Sequence, residues 1–151
     1  MSKPVLKDLT QRQKDQLEAA KAGFCGLVEE TNVDPEADQL DTPELADIVV
    51  AHWRRLPPAK RPSLETLATM LGAAIGDFLI YHLRLEWKEV TDEYGTSLVL
   101  FNGENAGEMH DVYLAVFDSM LKRLEEEAEG DFVAEYVEGL WEAVGHLQRQ
   151  K

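Results

Sequence analysis

The sequence has a single cysteine, Cys25, in 151 residues. One thiol excludes an intramolecular disulfide and a cysteine-rich zinc site. Cys25 follows Phe24 in an apolar helical pattern, so the expectation is a buried, inert thiol; a nucleophilic cysteine needs a cationic or histidine partner, and no neighbour in sequence supplies one. Uninterrupted apolar runs are short too. None reaches the roughly 18 residues expected of a membrane span, and Met1 to Leu6 holds no signal-like apolar core. A cytoplasmic location and no membrane partner are therefore expected.

Positive charge is scarce. Fifteen Lys and Arg face 29 Asp and Glu, a formal net charge of −14. Such a chain repels a polyanion at long range, which argues against nucleic-acid binding. Arg54, Arg55, Lys60 and Arg61 cluster around Pro57, Pro58 and Pro62, and read as a solvated helix end that offsets the helix dipole. Metal-ligand spacing is missing as well. His52, His82, His110 and His146 are scattered, with no His-x-x-x-His or Glu-x-x-His pair, so neither a metal site nor a cofactor is expected. Gly72 and Gly76 lie inside a helical pattern rather than after a strand, and no Gly-x-Ser-x-Gly is present; phosphate-loop and nucleophile-elbow chemistry are excluded.

What is present is ordered apolar periodicity. The length and a 44% hydrophobic content suit one globular domain over 1–151, with residues 1–9 a loose lead-in. Thr10 is placed to cap a helix running to about Glu30, with Leu17, Ala20, Phe24, Leu27 and Val28 on one stripe. Thr31 to Asp41 is acidic and aperiodic, a loop. Thr42-Pro43-Glu44 opens a second helix, with Thr42 as its cap, and Pro57-Pro58 ends it. Ser63 caps a third helix, Leu64 to Leu83, which is apolar nearly all round and so belongs at the centre of the domain. Beyond Glu65 in its first turn, Asp77 is the one acidic residue in that buried-looking stretch.

The period then changes. Leu85 to Thr91 and Thr96 to Phe101 read as strands joined by Asp92-Glu93-Tyr94-Gly95, with Gly95 at positive φ, and Met109 to Leu114 as a weaker third strand. Val116 to Ala128 is a fourth helix, and a fifth starts at Asp131. The predicted fold class is α+β: three helices, a small antiparallel meander, then two helices.

Three groups of residues carry candidate chemistry, each with a plain structural counterpart. Asp77 and His82 lie five apart and do not share a helix face; each reads more simply as a satisfied packing residue than as a catalytic pair. Glu86 and Asp92 flank a strand holding Trp87; an acid–base pair and a charge-guarded edge strand anchored by Trp87 both fit, the second better. Lys122-Arg123 are adjacent cations amid acidic sequence, suited to salt bridges with Asp77 or Asp118 or to an anionic partner.

These residues also follow a familiar order. Leu71-Gly72 and Gly76-Asp77 precede Leu85-x-Trp87, then Thr91-Asp92-Glu93-Tyr94-Gly95 with a hydrophobic strand, then Lys122-Arg123-Leu124. This order resembles a bacterial family, domain of unknown function 3806, over about Leu64 to Glu126. The family usually carries proline at the strand-to-helix junction, where this chain has Ala115-Val116. The resemblance implies the same α+β order and groups Asp77, Trp87, Asp92, Gly95, Lys122 and Arg123 as one node, in which Asp77 accepts bonds from Arg123 or a backbone amide. It brings no activity, substrate or cofactor.

With catalytic signals missing and acidic clusters at Glu29 to Asp47 and Glu125 to Glu142, the expected role is a non-catalytic protein-interaction module. It would take a basic protein partner, or form a homodimer anchored by an exposed Trp53 or Trp141. The alternative is a small-molecule-binding or hydrolytic domain, with a pocket between the third helix and the sheet lined by Asp77, His82, Trp87 and Lys122 or Arg123.

Overall fold

The computed structural model describes residues 5–31, 41–83, 85–93, 95–101 and 113–149. In chain order these form β1 (Val5–Lys7), α1 (Gln11–Glu30), α2 (Thr42–Arg55), a short 3-10 turn at Pro58–Lys60, α3 (Leu64–Leu83), β2 (Glu86–Asp92), β3 (Gly95–Phe101), β4 (Tyr113–Leu114), α4 (Val116–Glu125) and α5 (Phe132–Arg149). The fold is α+β, a helical layer against one antiparallel sheet of order β1-β2-β3-β4.

Residues 5–7 are not loose. They pair with β2, Val5 opposite Thr91 and Lys7 opposite Glu89. Three residues are too few for an alternating pattern to show; this strand exists because β2 offers an unpaired edge. The β2–β3 hairpin runs from Glu86 opposite Phe101 to Asp92 opposite Gly95. Gly95 has φ +127°, a conformation that L side chains rarely adopt, so this turn needs glycine. Of the predicted third strand, Tyr113–Leu114 pairs with β3, and 109–112 lie outside the described residues.

The helix starts are chemical. Thr10 accepts from the Gln13 amide at 3.1 Å while Gln13 Oε1 accepts from Thr10 N at 2.8 Å, a capping box. Asp41, rather than Thr42, caps α2, accepting from Glu44 N at 3.2 Å; this puts Thr42 and Pro43 inside the first turn. Ser63 Oγ accepts from Thr66 N at the start of α3. The end of α4 departs from expectation. It stops at Glu125, not Ala128, because Glu127 turns to φ 55°, the Glu127 amide donates to Leu124 O and the Ala128 amide to Arg123 O. That is a Schellman closure built without glycine, so composition gave no sign of it.

The core is α3. Leu67, Leu71, Ile75 and Leu79 are fully enclosed, with Val49, Leu100, Val116, Met120 and Val133 around them from α2, β3, α4 and α5. By length and composition α3 alone would also pass as a membrane-crossing helix, against the expectation that no such segment exists. Burial among α1, α2, α4 and α5 accounts for that apolarity. Two glycines let neighbours approach its backbone. A Cβ at Gly72 would sit 2.4 Å from Phe117, and one at Gly76 would sit 2.1 Å from Trp87. Those two rings stack on each other, centroids 5.3 Å apart, and tie the sheet to α4 across α3.

Three expected exposures are reversed. Cys25 is exposed, because it lies about 100° round α1 from Phe24 and off the buried Leu17–Phe24–Leu27 stripe. Trp53 is buried: its Nε1 donates to Pro62 O at 2.8 Å and Arg61 covers its ring at 3.9 Å. The proline segment folds back over Trp53, so this residue is no dimer anchor. Asp77 is exposed, on the rim of α3 that meets α1.

Candidate functional site

The predicted node does not assemble as one cluster. Asp77 pairs with Lys21 of α1, Nζ to Oδ2 at 2.8 Å, and not with Arg123. Lys21 also meets Glu18, and these two carboxylates raise the Lys21 pKa against the burial that lowers it. Arg123 turns the other way. Its guanidinium lies 4.5 Å from the centre of the Tyr136 ring on α5, and its Nη1 donates to Ser119 O at 3.2 Å. Lys122 is exposed. Asp92 sits at the end of β2 opposite Gly95, and its side chain lies outside the described residues.

Two concave places result. The first, of about 390 Å³, lies between α1, the start of β2 and α3, and is lined by Trp87 and Ala73. Lys14, Lys21 and Lys88 line it together with Asp8, Glu18, Asp77 and Glu86. Lys21 and Lys88 are already matched by carboxylates, Lys88 by Asp8 and Glu86, which raises its pKa and lowers that of Asp8. These self-compensated salt bridges tie α1 to α3 and β2 to Asp8, and Gln13 Nε2 donating to Glu89 at 2.6 Å joins α1 to the sheet. Asp77 and Trp87 line this place together with Glu86, whereas His82, Lys122 and Arg123, expected to share a pocket with Asp77 and Trp87, do not.

His82 lines the second place, a groove of about 850 Å³ between α2, the last turn of α3 and α5. Its floor is Pro43, Ile48, Phe78, Ala134 and Val137, and Trp141 walls one end. The His82 ring is 4.4 Å from Phe78 and 5.1 Å from Trp141, tilted about 50° to each. Trp141 is 39% exposed, and Tyr81, whose ring meets His82 edge-on, is 84% exposed. Five exposed carboxylates rim this groove: Asp41, Glu44, Asp131, Glu138 and Glu142. Among the described residues, none of the five forms an ion pair.

Asp47 holds the groove's two walls together, and no sequence signal marked it. It is the one buried charged residue among those described, 8% exposed on α2. Its two oxygens accept from the Val133 and Ala134 amides at 2.8 and 3.0 Å, capping α5 from another helix. Burial raises its pKa, the two amides pull it down, and Asp131 and Glu135 add to the rise. A cap 86 residues away in sequence has no local signature.

Among the described residues no three His, Cys, Asp or Glu converge as a metal-binding group. β2 pairs with β1 on one side and β3 on the other, so it is not the edge strand expected around Trp87, and Glu86 is exposed at its first position.

A family model, domain of unknown function DUF3806, matches residues 55–136, more than half of the chain. The chain belongs to this family. The DUF3806 match runs from the end of α2 through Tyr136. It takes in α3, the β2–β4 meander, α4 and the first turn of α5, and leaves β1, α1, most of α2 and Trp141 outside. Asp77, Trp87, Lys122 and Arg123 fall within the matched stretch, whereas Lys21, the partner of Asp77, and the α5 cap Asp47 lie before it. Of the groove's lining, Phe78, His82, Asp131 and Ala134 fall within the match, and the larger share comes from the flanking parts of α2 and α5. No curated protein and no solved structure matches the chain.

Proposed function

We propose that this protein is a non-catalytic binding module that takes a basic polypeptide segment into the groove between α2, α3 and α5. The observation that carries this reading is an apolar groove of about 850 Å³ ringed by five carboxylates with no ion pair among the described residues. Glu138 and Glu142 lie one turn apart on α5, a like-charge spacing that costs roughly 0.2–0.5 kcal/mol in an isolated helix. A cation arriving from outside relieves that repulsion. The net charge of −14 steers basic partners toward the molecule and disfavours pairing of two acidic rims from like copies. An apolar floor beneath a charged rim matches a partner whose anchor side chain is flanked by Lys or Arg.

The test is selection from a random 16-residue peptide library displayed on phage, followed by affinity measurement on synthetic copies of the winners. Enriched peptides should carry one large apolar residue beside two or more basic ones. They should lose at least about tenfold in affinity to an E138K/E142K variant. Winners indifferent to that variant, or no enrichment at all, would overturn the reading.

A further inference from the structure

The arginines of this chain suggest what the groove's aromatic end receives. Arg61 lies 3.9 Å over Trp53, Arg123 4.5 Å over Tyr136, and Arg54 5.9 Å from Phe132. Three aromatic residues thus hold a guanidinium from the chain itself, two of them on α5. Trp141, further along α5, holds none among the described residues and lines the groove among exposed carboxylates. Glu138 stands one turn before it, Glu142 follows it, and the tilted His82 ring stands beside it, with Phe78 packed on His82.

We infer that the Trp141–His82–Phe78 corner, with Glu138 and Glu142, is a seat for an arginine side chain supplied by the bound polypeptide. This deepens the binding-module reading and rests on it. The fit is chemical. A guanidinium is planar, so it stacks on an indole face while its edge offers paired N–H donors to carboxylates. An ammonium group has no flat face and no donor fork, and a neutral urea has the shape without the charge. Net charge disfavours a second copy of this chain as the occupant.

Indole N–H resonances read the seat directly, since the chain has three tryptophans and W141F assigns the relevant signal. N-acetyl-arginine methylamide should shift the Trp141 resonance saturably in the millimolar range and leave that of buried Trp53 in place. The citrulline analogue, isosteric but neutral, should bind roughly tenfold more weakly, as should arginine to E138Q/E142Q. Both glutamates are exposed, so that variant keeps its core, and an unchanged Trp53 resonance verifies this. Equal binding of citrulline or of N-acetyl-lysine methylamide would overturn the arginine seat, and so would an unmoved Trp141 signal. A concentration-dependent dimer that shifts Trp141 in protein alone would assign the corner to a second copy and overturn it too. Displayed peptides that enrich on this groove with no arginine requirement would leave the binding-module reading intact and remove only the seat. Failure of the selection itself would remove both.

Discussion

Asp47→Ala is the substitution from which this fold has most to lose for one exposed-looking letter in the sequence. Asp47 is 8% exposed and accepts two backbone bonds, from Val133 N at 2.8 Å and Ala134 N at 3.0 Å. Removing the side chain takes away a helix cap, about 1 kcal/mol. It also strands the amide of Val133, a residue with no exposed surface, at about 1–3 kcal/mol for an unsatisfied buried donor. The expected loss is about 2–4 kcal/mol, or a fall in Tm of roughly 5–15 °C for a chain of this size. Asp47→Asn keeps one acceptor and should lose about half as much. The pH dependence has a defined sign. Burial raises the folded-state pKa of Asp47 above 3.8, so its contribution is full below that pH and falls as pH climbs through the folded value. Asn does not titrate, so the gap between wild type and Asp47→Asn should be wider near pH 4 than at pH 7. Urea unfolding at both pH values, followed by far-ultraviolet circular dichroism, measures all three quantities. An Asp47→Ala protein within about 0.5 kcal/mol of wild type, or a gap that widens toward pH 7, would refute the argument.

Other outcomes follow from particular contacts. Gly76→Ala should cost about 2 kcal/mol despite better helix propensity, because its Cβ would sit 2.1 Å from Trp87; adding Trp87→Leu should recover part of the loss in a double-mutant cycle. Glu127→Gly should stabilise by about 0.5–1 kcal/mol in thermal melts, since Glu127 holds φ 55° at the end of α4. Asp77→Asn should change stability by less than about 1 kcal/mol, because its pair with Lys21 is 49% and 25% exposed at the two side chains. Cys25 should react fully with a thiol reagent in native buffer, at the rate of the unfolded protein to within about tenfold; a protected thiol would contradict its exposure.

The sequence alone determined what short-range chemistry and periodicity control. The Thr10 and Ser63 caps, the stop at Pro57, the turn at Gly95 and the all-round apolarity of α3 are written in neighbouring residues, and they yield the α+β order of the fold. Tertiary structure decided everything that depends on which elements meet. The strand Val5–Lys7 exists through the edge of β2, and the cap of α5 comes from Asp47, 86 positions before Val133. Asp77, exposed rather than buried, found Lys21 on α1, while Arg123 found the face of Tyr136. Trp53 and Trp141 look alike in sequence, yet a folded-back proline segment encloses one and leaves the other at a groove. The groove itself joins residues from α2, α3 and α5 whose charges appear, read along the chain, as separate acidic stretches. Local rules fix where helices begin and end because capping and turn energies act over three or four residues. They do not fix who pairs with whom, because a charge or a ring is indifferent to sequence separation once the core has brought two surfaces together.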